Sequence, residues 1–488
     1  MYRKKRDVLL AGIPLVAAFA TSTSTWSAPP TLVSGPSPFA GCTFGGSPGS
    51  TVFVNAEVEP WVAVNRNPAQ SSNVIGVWQQ DRWSDGGAHG LVAGFSFDNG
   101  NTWGATPLPF SLCAAGGVPY ERASDPWVSF GPDGTAYAIS ISFNQTNNKN
   151  AVAAAVSQDG GQTWNNLNLI IRNDEPTLQF FNDKESVTAN PVKAGVAYAV
   201  WDRLELPNGN PRANQHTAAY RGPTLFSRTV DFGKTWSTPT VIVNVPSRQQ
   251  TIGNQIVVDS RNNQTTLYNF FDLISPPFRK SAGKVAFIKS TDDGATWTKP
   301  KIIANLETAG VTDPNTGELV RTGDIIPEPA IDPATGNLYV VWQDSRFNGG
   351  LFDEVALSAS ADGGATWSAP IRVNTPTGKP AFNPAVRVNA DGRVAVTYYD
   401  FRDLKNETAT LPTSLWFTTS PIGGQNFSGE ERLAGPFDMK TAPTTEGEGF
   451  FIGDYSGLDA RGAAFVPFFV QTNSGNTANR TDVFVTSP

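Results

Sequence analysis

The side chains that could do chemistry in this sequence are carboxylates, tyrosines and arginines. The 488 residues include 43 aspartates and glutamates but only two histidines and two cysteines. No His-Glu-x-x-His or Cys-x-x-Cys motif occurs, which excludes the usual zinc sites, and we expect no cofactor. Loops rich in glycine and aspartate could still hold a structural calcium ion. Serine chemistry would need His89 or His216 as its base, so carboxylate chemistry of the kind that cleaves glycosidic bonds is favoured.

Candidate residues of these classes occur in two settings, repeated and unique. The repeated ones are Asp81-Arg82-Trp83, Asp344 with Arg346, and Asp400 with Arg402. The unique ones are Tyr120-Glu121-Arg122, Arg321 and the segment Gly453–Leu458. A repeated aspartate can cap its loop or pair with an arginine of a neighbouring repeat, so repetition indicates architecture. Residues that occur in only one repeat indicate function instead.

The elements that must position these residues are repeated turns. The pattern Ser/Thr-x-Asp-x-Gly-x-Thr-Trp occurs five times without a mismatch, beginning at Ser96, Ser157, Thr229, Ser290 and Ser360. A degenerate sixth copy runs from Ser420 to Phe427. An aspartate that opens a tight turn accepts hydrogen bonds from N–H groups further along the chain, and glycine takes a positive φ. The tryptophan begins the next strand and fills the gap below the turn. Each copy therefore predicts a hairpin between two strands, C and D.

A second repeat lies between these turns and begins an innermost strand, A. An acidic or amide residue followed by a short apolar run occurs seven times, at Glu59, Asp125, Glu185, Gln255, Glu328, Asn383 and Asp454. The last C strand, Asp482–Thr486, has no D strand after it, and Pro30–Val33 resembles a D strand. We therefore predict an all-β, seven-bladed β-propeller of four-stranded antiparallel blades, closed by both termini, over residues 29–488. A six-bladed ring with one irregular repeat is the alternative.

Composition and charge exclude other classes of protein. Glycine (46) and proline (37) are abundant, methionine (2) is nearly absent, and only 16% of the residues are charged. This composition argues against a helical bundle or coiled coil. A formal net charge of −7 makes a phosphate-binding surface improbable, so nucleic acid is excluded as a partner. We expect a monomer.

Residues 1–28 have the pattern of a secretory signal peptide. Arg3–Arg6 is basic, and the apolar run Val8–Ala20 is too short to cross a bilayer, which needs about 20 residues. We expect a secreted or periplasmic protein with no membrane span. In such an oxidising compartment Cys42 and Cys113 are expected to form a disulfide, with two unpaired buried thiols as the alternative.

Each predicted blade has four antiparallel strands, A to D in chain order, and B is the strand that follows A. The antiparallel order places the connections between these strands on two opposite faces. The Asp turns and the A–B turns share one face, which we interpret as structural. The B–C loops and the D–A connections share the other face, and they contain the candidate residues. The longest B–C loop, about Leu204–Gly222, is expected to form a wall or lid over the site.

The five Asp turns resemble the Asp-box (BNR) repeat of sialidases and related propellers, and the resemblance spans about residues 31–488. Sialidases use a tyrosine nucleophile with a glutamate partner, an aspartate acid, and three arginines that hold the carboxylate of the sugar. The resemblance therefore implies roles for residues of this chain, which are Tyr455 as nucleophile, Glu328 as its partner, Asp125 as acid, and Arg82, Arg346 and Arg402 as anion clamp. The remaining candidates are Asp454 for catalysis and Arg122, Glu121 and Trp83 for substrate binding.

The function that this resemblance implies is that of a secreted, sialidase-like glycoside hydrolase. Its substrate would be an acidic or polysaccharide glycan bound at the face of the B–C and D–A loops. Two alternatives remain open at this point. One is a non-catalytic propeller that binds glycan or protein. The other is a polysaccharide lyase, for which His89, His216 and Tyr120 are the candidate bases.

Overall fold

A computed structural model describes residues 29–147, 149–175, 180–205, 221–276 and 283–488. Of the described residues, 51% lie in strands and 3% in helices, which confirms the all-β expectation. Single-turn 3₁₀ segments lie at Pro68–Gln70, Arg261–Asn263, Arg346–Asn348 and Met439–Thr441. In this part of the chain no helix is long and apolar enough to cross a membrane. The signal peptide, His216 and most of the loop Leu204–Gly222 lie outside the described residues.

The strands form one twelve-stranded and five four-stranded sheets in the described residues. The twelve-stranded sheet contains β1 (Thr31–Leu32), β2 (Val52–Val64), β3 (Val74–Trp83), β4 (Ala88–Ser96), β5 (Gly104–Pro107), β6 (Arg122–Phe130), β7 (Ala136–Phe143), β8 (Asn150–Ser157), β9 (Asn165–Asn173), β30 (Gly457–Arg461), β31 (Ala464–Thr472) and β32 (Thr481–Val485). This sheet consists of three antiparallel units, which are β2–β5, β6–β9, and β30–β32 with β1. Only single bridges, Ala56 with Thr481 and Ala88 with Ala123, connect one unit to the next.

Four of the remaining sheets are antiparallel meanders of four consecutive strands. They are β10 (Phe180–Ala189), β11 (Ala197–Glu205), β12 (Thr224–Thr229) and β13 (Thr240–Val243); β14 (Gln250–Asp259), β15 (Thr266–Ile274), β16 (Gly283–Ser290) and β17 (Lys301–Leu306); β20 (Glu328–Ile331), β21 (Leu338–Asp344), β22 (Glu354–Ser360) and β23 (Ile371–Arg372); and β24 (Ala381–Val388), β25 (Val394–Asp400), β26 (Pro412–Ser420) and β27 (Ser428–Asp438). The fifth is a small sheet of β18 (Val311–Thr312), β19 (Leu319–Arg321), β28 (Thr444–Thr445) and β29 (Gly449–Phe451).

The first strands of the four-stranded units pack against one another in sequence. β2 contacts β6, β6 contacts β10, and the contacts continue through β14, β20 and β24 to β30, which contacts β2. At the outer edge of the last unit, β1 pairs with β32 through Thr31 with Val485 and Leu32 with Phe484. The N-terminal strand therefore completes the last unit, as the missing D strand predicts.

The Asp turns have the hydrogen bonds that their sequence predicts. Asp98 accepts from the backbone N–H of Thr102 at 2.9 Å, from the Thr102 hydroxyl at 2.7 Å and from the Ser96 hydroxyl at 2.8 Å. These bonds lower the pKa of Asp98 to about 2, with the Thr102 hydroxyl as the largest cause. The same two threonine bonds recur at Asp159, Asp231, Asp292 and Asp362. The turns are therefore held locally, within each hairpin.

The two cysteines form the expected disulfide. Cys42 and Cys113 are bridged with a Cα–Cα distance of 5.5 Å, and the alternative of free thiols is wrong. The bridge connects the segment before β2 to the connection between β5 and β6.

The first strands of five units contain a β-bulge at equivalent positions. The bulge shows which residues of the second sequence repeat are structurally equivalent, and this differs from the prediction. One extra residue lies between Val58 and Trp61 in β2, and equivalent bulges occur in β6, β10, β14 and β24. The bulge contains a left-handed residue, which is Glu59 (φ 54°), Asp125 (φ 53°), Lys184 (φ 47°), Gly253 (φ 68°) or Asn383 (φ 47°). In the third unit Lys184, and not Glu185, therefore occupies the place of Glu59. Glu328 pairs with Val341, as Trp61 pairs with Val77, so it is equivalent to Trp61.

Candidate functional site

A buried lysine joins carboxylates from three units at the level of these bulges. Lys184 Nζ lies 3.2 Å from Glu59 Oε1, 2.8 Å from Asp125 Oδ1 and 2.7 Å from Asp454 Oδ2. All four side chains are buried. Left-handed backbone is unfavourable for residues other than glycine, and here the three bulges direct Glu59, Asp125 and Lys184 to one point. We call Lys184 with these three carboxylates the lysine cluster.

The carboxylates of the lysine cluster have opposite electrostatic states. Burial followed by the charge of Asp125 raises the pKa of Glu59 to about 8. Burial also acts to raise the pKa of Asp454, but Arg321 and Lys184 outweigh it and hold that pKa well below its ordinary value of 3.8. The surroundings therefore shift the pKa of Glu59 towards the protonated form and that of Asp454 towards the ionised form.

A second cation holds Asp454 from the other side. Arg321 Nη2 lies 2.7 Å from Asp454 Oδ2, and its Nη1 lies 3.0 Å from Glu448 Oε2. The guanidinium also lies over the ring of Phe451, 4.6 Å from the ring centroid. Arg321 and Phe451 belong to β19 and β29, which pair in parallel. The small sheet therefore positions the arginine at the lysine cluster.

A cavity of about 400 Å³ opens beside Asp454, and we call it the acidic cavity. Its charged lining residues are Lys184, Arg321, Asp324, Glu448 and Asp454, and the rest of the wall includes Ile252, Val311, Val320 and Ile326. The residues that β10 and β14 contribute come from the first halves of these strands. The acidic cavity therefore lies on the side of the bulges from which the first strands begin, at the face of the D–A connections.

Asp324 is the second carboxyl group on the wall of the acidic cavity, and it is half-buried. Burial and the neighbouring charge of Asp353 raise its pKa to about 7, although the Thr308 hydroxyl donates to it at 3.0 Å. The charge of Asp454 acts in the same direction. Of the three carboxyl groups on the cavity wall, Asp324 therefore has a raised pKa and Asp454 a lowered one, while Glu448 pairs with Arg321.

Of the arginines predicted from the sequence, Arg82 lies beside this site. Its guanidinium lies over the same Phe451 ring, 4.7 Å from the centroid, and donates to Gln79 Oε1 at 2.9 Å. Burial, followed by the charge of Arg321, lowers the pKa of Arg82 to about 10. Its Nε is buried and has no hydrogen-bond partner among the described residues. Arg82 therefore adds positive charge behind the acidic cavity.

Arg122, Trp83 and Glu121 hold a neighbouring loop. The Arg122 guanidinium is buried, donates to the carbonyl oxygen of Gly45 at 2.8 Å, and pairs with Asp85 at 2.8 Å. It also lies over Trp83, 4.7 Å from the ring centroid. Glu121 Oε2 accepts from the backbone N–H of Gln145 at 3.1 Å. These contacts occupy the Arg122 guanidinium and Glu121 Oε2, whereas the indole N–H of Trp83 is buried without a hydrogen-bond partner among the described residues.

Arg346 and Arg402 each pair with the aspartate two residues before them. Arg346 donates to both oxygens of Asp344, each at 2.7 Å. Arg402 donates to Asp400 at 2.6 Å and to Glu430 at 2.8 Å. The repeated Asp-x-Arg pattern is thus a local ion pair, which is the architectural reading that the sequence left open. An anion clamp that includes both arginines would have to break these pairs.

Tyr455 and Glu328 have different surroundings. The Tyr455 ring packs edge-on against Trp127, and its hydroxyl donates to the carbonyl oxygen of Pro126 at 3.3 Å. Burial, followed by the charges of Glu59 and Asp125, raises the pKa of Tyr455 well above 10. Glu328 accepts from Gln255 at 3.0 Å, and burial raises its pKa to about 8. Glu328 lines a cavity other than the acidic cavity.

The residues proposed for the alternatives are also tied to neighbours. His89 Nδ1 lies 3.2 Å from Asp81, and the Tyr120 hydroxyl donates to Asp174 at 2.9 Å. Burial raises the pKa of Tyr120 to about 12. Among the described residues, no group of three or more His, Cys, Asp and Glu side chains is arranged to hold a metal ion. The possible calcium site therefore has no structural support in this part of the chain.

The sequence predicts part of this site but not its central lysine. Asp125, Asp454 and Arg82 were candidates, and Arg321 and Asp454 belong to segments that occur only once. Lys184 was missed because Glu185 was aligned with Glu59. The signal that could have found it is the presence of a lysine, Lys184, between two acidic residues in a strand that is otherwise buried.

No protein-family model matches this chain, and no curated protein matches it. Among solved structures, a protein of unknown function from Dyadobacter fermentans is 15% identical with a TM-score of 0.47, and the match covers 90% of this chain and 97% of that one. The Hadza microbial sialidase Hz136 is 14% identical with a TM-score of 0.46, covering 85% of this chain and 73% of that one. An α-L-arabinanase from Penicillium chrysogenum is 13% identical with a TM-score of 0.42, covering 90% and 98%. At these identities and TM-scores the likenesses assign no activity to this chain.

Proposed function

We propose that this protein is a secreted or periplasmic glycoside hydrolase, built as a seven-bladed β-propeller over residues 29–488, with its active site in the acidic cavity. The observation that carries the proposal is that two of the three carboxyl groups on the cavity wall, Asp324 and Asp454, have pKa values shifted in opposite directions. The pKa of Asp324 is raised to about 7, whereas the pKa of Asp454 is held well below 3.8. Two carboxyl groups whose environments separate their pKa values are suited to act as acid and base.

Each carboxyl group has a definite part in this proposal. Asp324 in its protonated form donates a proton to the oxygen of the leaving sugar, and Asp454 attacks the sugar or activates a water molecule. Arg321 and Lys184 keep Asp454 ionised. The substrate in this proposal is an acidic or polysaccharide glycan, and this carbohydrate is the only partner that the proposal requires.

The propeller architecture is supported by the packing of the first strands. Seven four-stranded units follow one another, and the first strand of the last unit contacts that of the first unit. The pairing of β1 with β32 supports closure by both termini. A ring of this kind brings the D–A connections of distant repeats together at one end of its central channel. The proposed active site requires this arrangement.

The assignment implied by the resemblance to sialidases is a competing proposal for the same activity. In that assignment Tyr455 is the nucleophile, Glu328 is its partner, Asp125 is the acid and arginines form a clamp. It requires Tyr455 to leave its bond to Pro126 and Glu328 to leave Gln255. Substitutions distinguish the two assignments because they share no catalytic residue.

The test is a release assay on sialosides, arabinans and uronate polymers. The variants are Asp324→Asn, Asp454→Asn, Tyr455→Phe and Glu328→Gln, and the control is Asp391→Asn, an exposed aspartate in the turn after β24. We expect losses of about 10²–10⁴-fold for the first two variants and wild-type rates for the others. A loss in Tyr455→Phe and Glu328→Gln while Asp324→Asn stays active would contradict our assignment and favour the competing one.

A non-catalytic glycan-binding protein is the second candidate, and one observation favours it. Each carboxylate of the lysine cluster is already paired with a cation and is buried. Groups paired in this way can be purely structural. Saturable binding to one of the polymers, with no product released from any of them, would support this candidate and exclude the hydrolase.

A further inference from the structure

A second cavity, of about 560 Å³, lies at the opposite ends of the first strands, and we call it the tryptophan cavity. The first strand of every one of the seven units lines it, namely β2, β6, β10, β14, β20, β24 and β30. In β10 and β14 the lining residues come from the second halves of the strands, beyond the bulges. The lysine cluster therefore separates it from the acidic cavity. Its volume lies within the range of about 300–1,000 Å³ that is typical of small-molecule sites.

Two tryptophans form a flat apolar surface at the inner end of the tryptophan cavity. The rings of Trp61 and Trp127 are stacked, with centroids 3.4 Å apart and an angle of 22° between their planes. Tyr455 packs edge-on against both rings and fixes them from behind. Trp127 is buried, but Trp61 is only half-buried. A planar ligand could therefore pack against Trp61.

The rim of the tryptophan cavity carries excess positive charge. Arg66 and Arg387 both pair with the same oxygen of Asp459, each at 2.7 Å. Their side chains are still 35% and 32% exposed, respectively. One carboxylate neutralises only one of the two guanidinium groups. Arg261 and Asp259, which also line the cavity, pair with each other and add no net charge.

Glu328 and Gln255 are polar groups that line the same cavity. They bond to each other at 3.0 Å, and burial raises the pKa of Glu328 to about 8, although Gln255 and the charge of Arg387 act to lower it. Burial therefore favours the neutral form of Glu328, which does not cancel the charge of the arginines. The tryptophan cavity thus combines a flat apolar surface, a neutral polar pair and a cationic rim.

We propose that the tryptophan cavity binds a small organic anion in which a carboxylate is attached to a flat apolar ring. The ring packs against Trp61, and the carboxylate is bound by the exposed donors of Arg66 and Arg387. Arginine suits this role because its planar donors match the geometry of a carboxylate. This site is separate from the proposed active site. The binding proposal therefore does not depend on the hydrolase activity.

The probe is phenylacetate, and its neutral analogue is 2-phenylethanol, which keeps the ring and removes the charge. Binding to the full chain is measured by isothermal titration calorimetry. We expect one phenylacetate per chain and at least about tenfold weaker binding of 2-phenylethanol. Equal affinity for both compounds, or no saturable binding of phenylacetate, would overturn the proposal.

Two matched arginine variants locate the site. Arg387→Gln removes a donor from the rim, while Asp459 keeps Arg66 and the backbone N–H of Val64 as partners. Arg372→Gln is the control, because Arg372 is 34% exposed, pairs with one glutamate and lies outside the lining of the cavity. We expect phenylacetate binding to weaken at least about tenfold in Arg387→Gln and to stay unchanged in Arg372→Gln. Equal effects of the two variants would overturn the assignment.

Discussion

Lys184 Nζ lies 2.7 Å from Asp454 Oδ2, although the two residues are 270 positions apart in the sequence. Lys184 belongs to β10 in the third unit, and Asp454 comes just before β30 in the last. Both side chains are almost completely buried, with 7% and 5% of their surface exposed. This contact joins parts of the chain that are far apart in sequence, and together with Arg321 it keeps the proposed catalytic carboxylate ionised.

Replacing Lys184 by methionine should destabilise the protein strongly. The substitution leaves Glu59, Asp125 and Asp454 without their shared cation, and removing one partner of a buried ion pair costs about 3–5 kcal/mol. Urea unfolding measures the loss. Lys193→Met is the control, since Lys193 is 43% exposed and pairs with Asp293, and a surface pair contributes about 0–1 kcal/mol. Equal losses in both variants would contradict the structural role of the lysine cluster.

Replacing Arg321 by methionine should shift the pH dependence of activity. Arg321 is the strongest influence that lowers the pKa of Asp454, so its removal raises that pKa. Activity that needs ionised Asp454 is lost as pH falls through this pKa, and the acidic limb of the pH–rate profile should therefore move to higher pH. Arg346→Met, which breaks the pair with Asp344 and the bond to the carbonyl oxygen of Asn305, should leave the limb in place. An unchanged acidic limb in Arg321→Met would show that the ionisation of Asp454 does not determine the rate.

Replacing Asp272 by asparagine should make stability less dependent on pH. Burial raises the pKa of Asp272 from 3.8 to about 7, so the unfolded chain ionises this residue before the folded chain does. The folded state therefore loses stability as pH rises from about 4 to about 7, by about 3 kcal/mol between pH 5 and pH 8. Unfolding free energies at these two pH values should differ less in Asp272→Asn than in wild type. The exposed control Asp391→Asn should retain the wild-type difference, and a wild-type difference in Asp272→Asn would refute the prediction.

Removing the disulfide should destabilise the protein by constraining the unfolded chain less. Cys42 and Cys113 are 71 residues apart, and a crosslink that closes a loop of this length contributes about 4 kcal/mol. The double variant Cys42→Ser with Cys113→Ser should unfold at lower denaturant concentration than oxidised wild type. Dithiothreitol should lower the midpoint of wild type and leave that of the double variant unchanged. A reductant effect on the double variant would show that another process is responsible.

Replacing Gly294 by alanine should test the packing of an Asp turn against the preceding unit. Gly294 has φ +88°, and a Cβ atom there would lie 2.4 Å from Cζ of Phe226. Gly310 is the control because it has a similar φ of +74° with nothing within 4 Å. Both variants carry backbone strain, but only Gly294→Ala adds overpacking, which costs about 1–3 kcal/mol more. Thermal unfolding of the two variants measures this difference, and equal midpoints would contradict it.

The sequence alone was sufficient for the features that depend on short-range contacts. The Asp turns are predictable because Asp98 bonds to Ser96 and Thr102 within the same hairpin. The missing D strand and its replacement by Thr31–Leu32 follow from counting strands in the repeats. The disulfide follows from two cysteines and the expected compartment. In each case the physical cause lies in neighbouring residues or in a count.

Only the tertiary structure decided which side chains meet at the centre. A β-bulge adds one residue to a strand, and one residue moves a side chain to the other face of the sheet. The sequence alignment placed Glu185 with Glu59, whereas the bulge places Lys184 there and brings it to Asp125 and Asp454. The charge state of Asp454 depends on that placement and on Arg321, which β19 positions through its pairing with β29. Contacts of this kind join distant parts of the chain, and no local pattern encodes them.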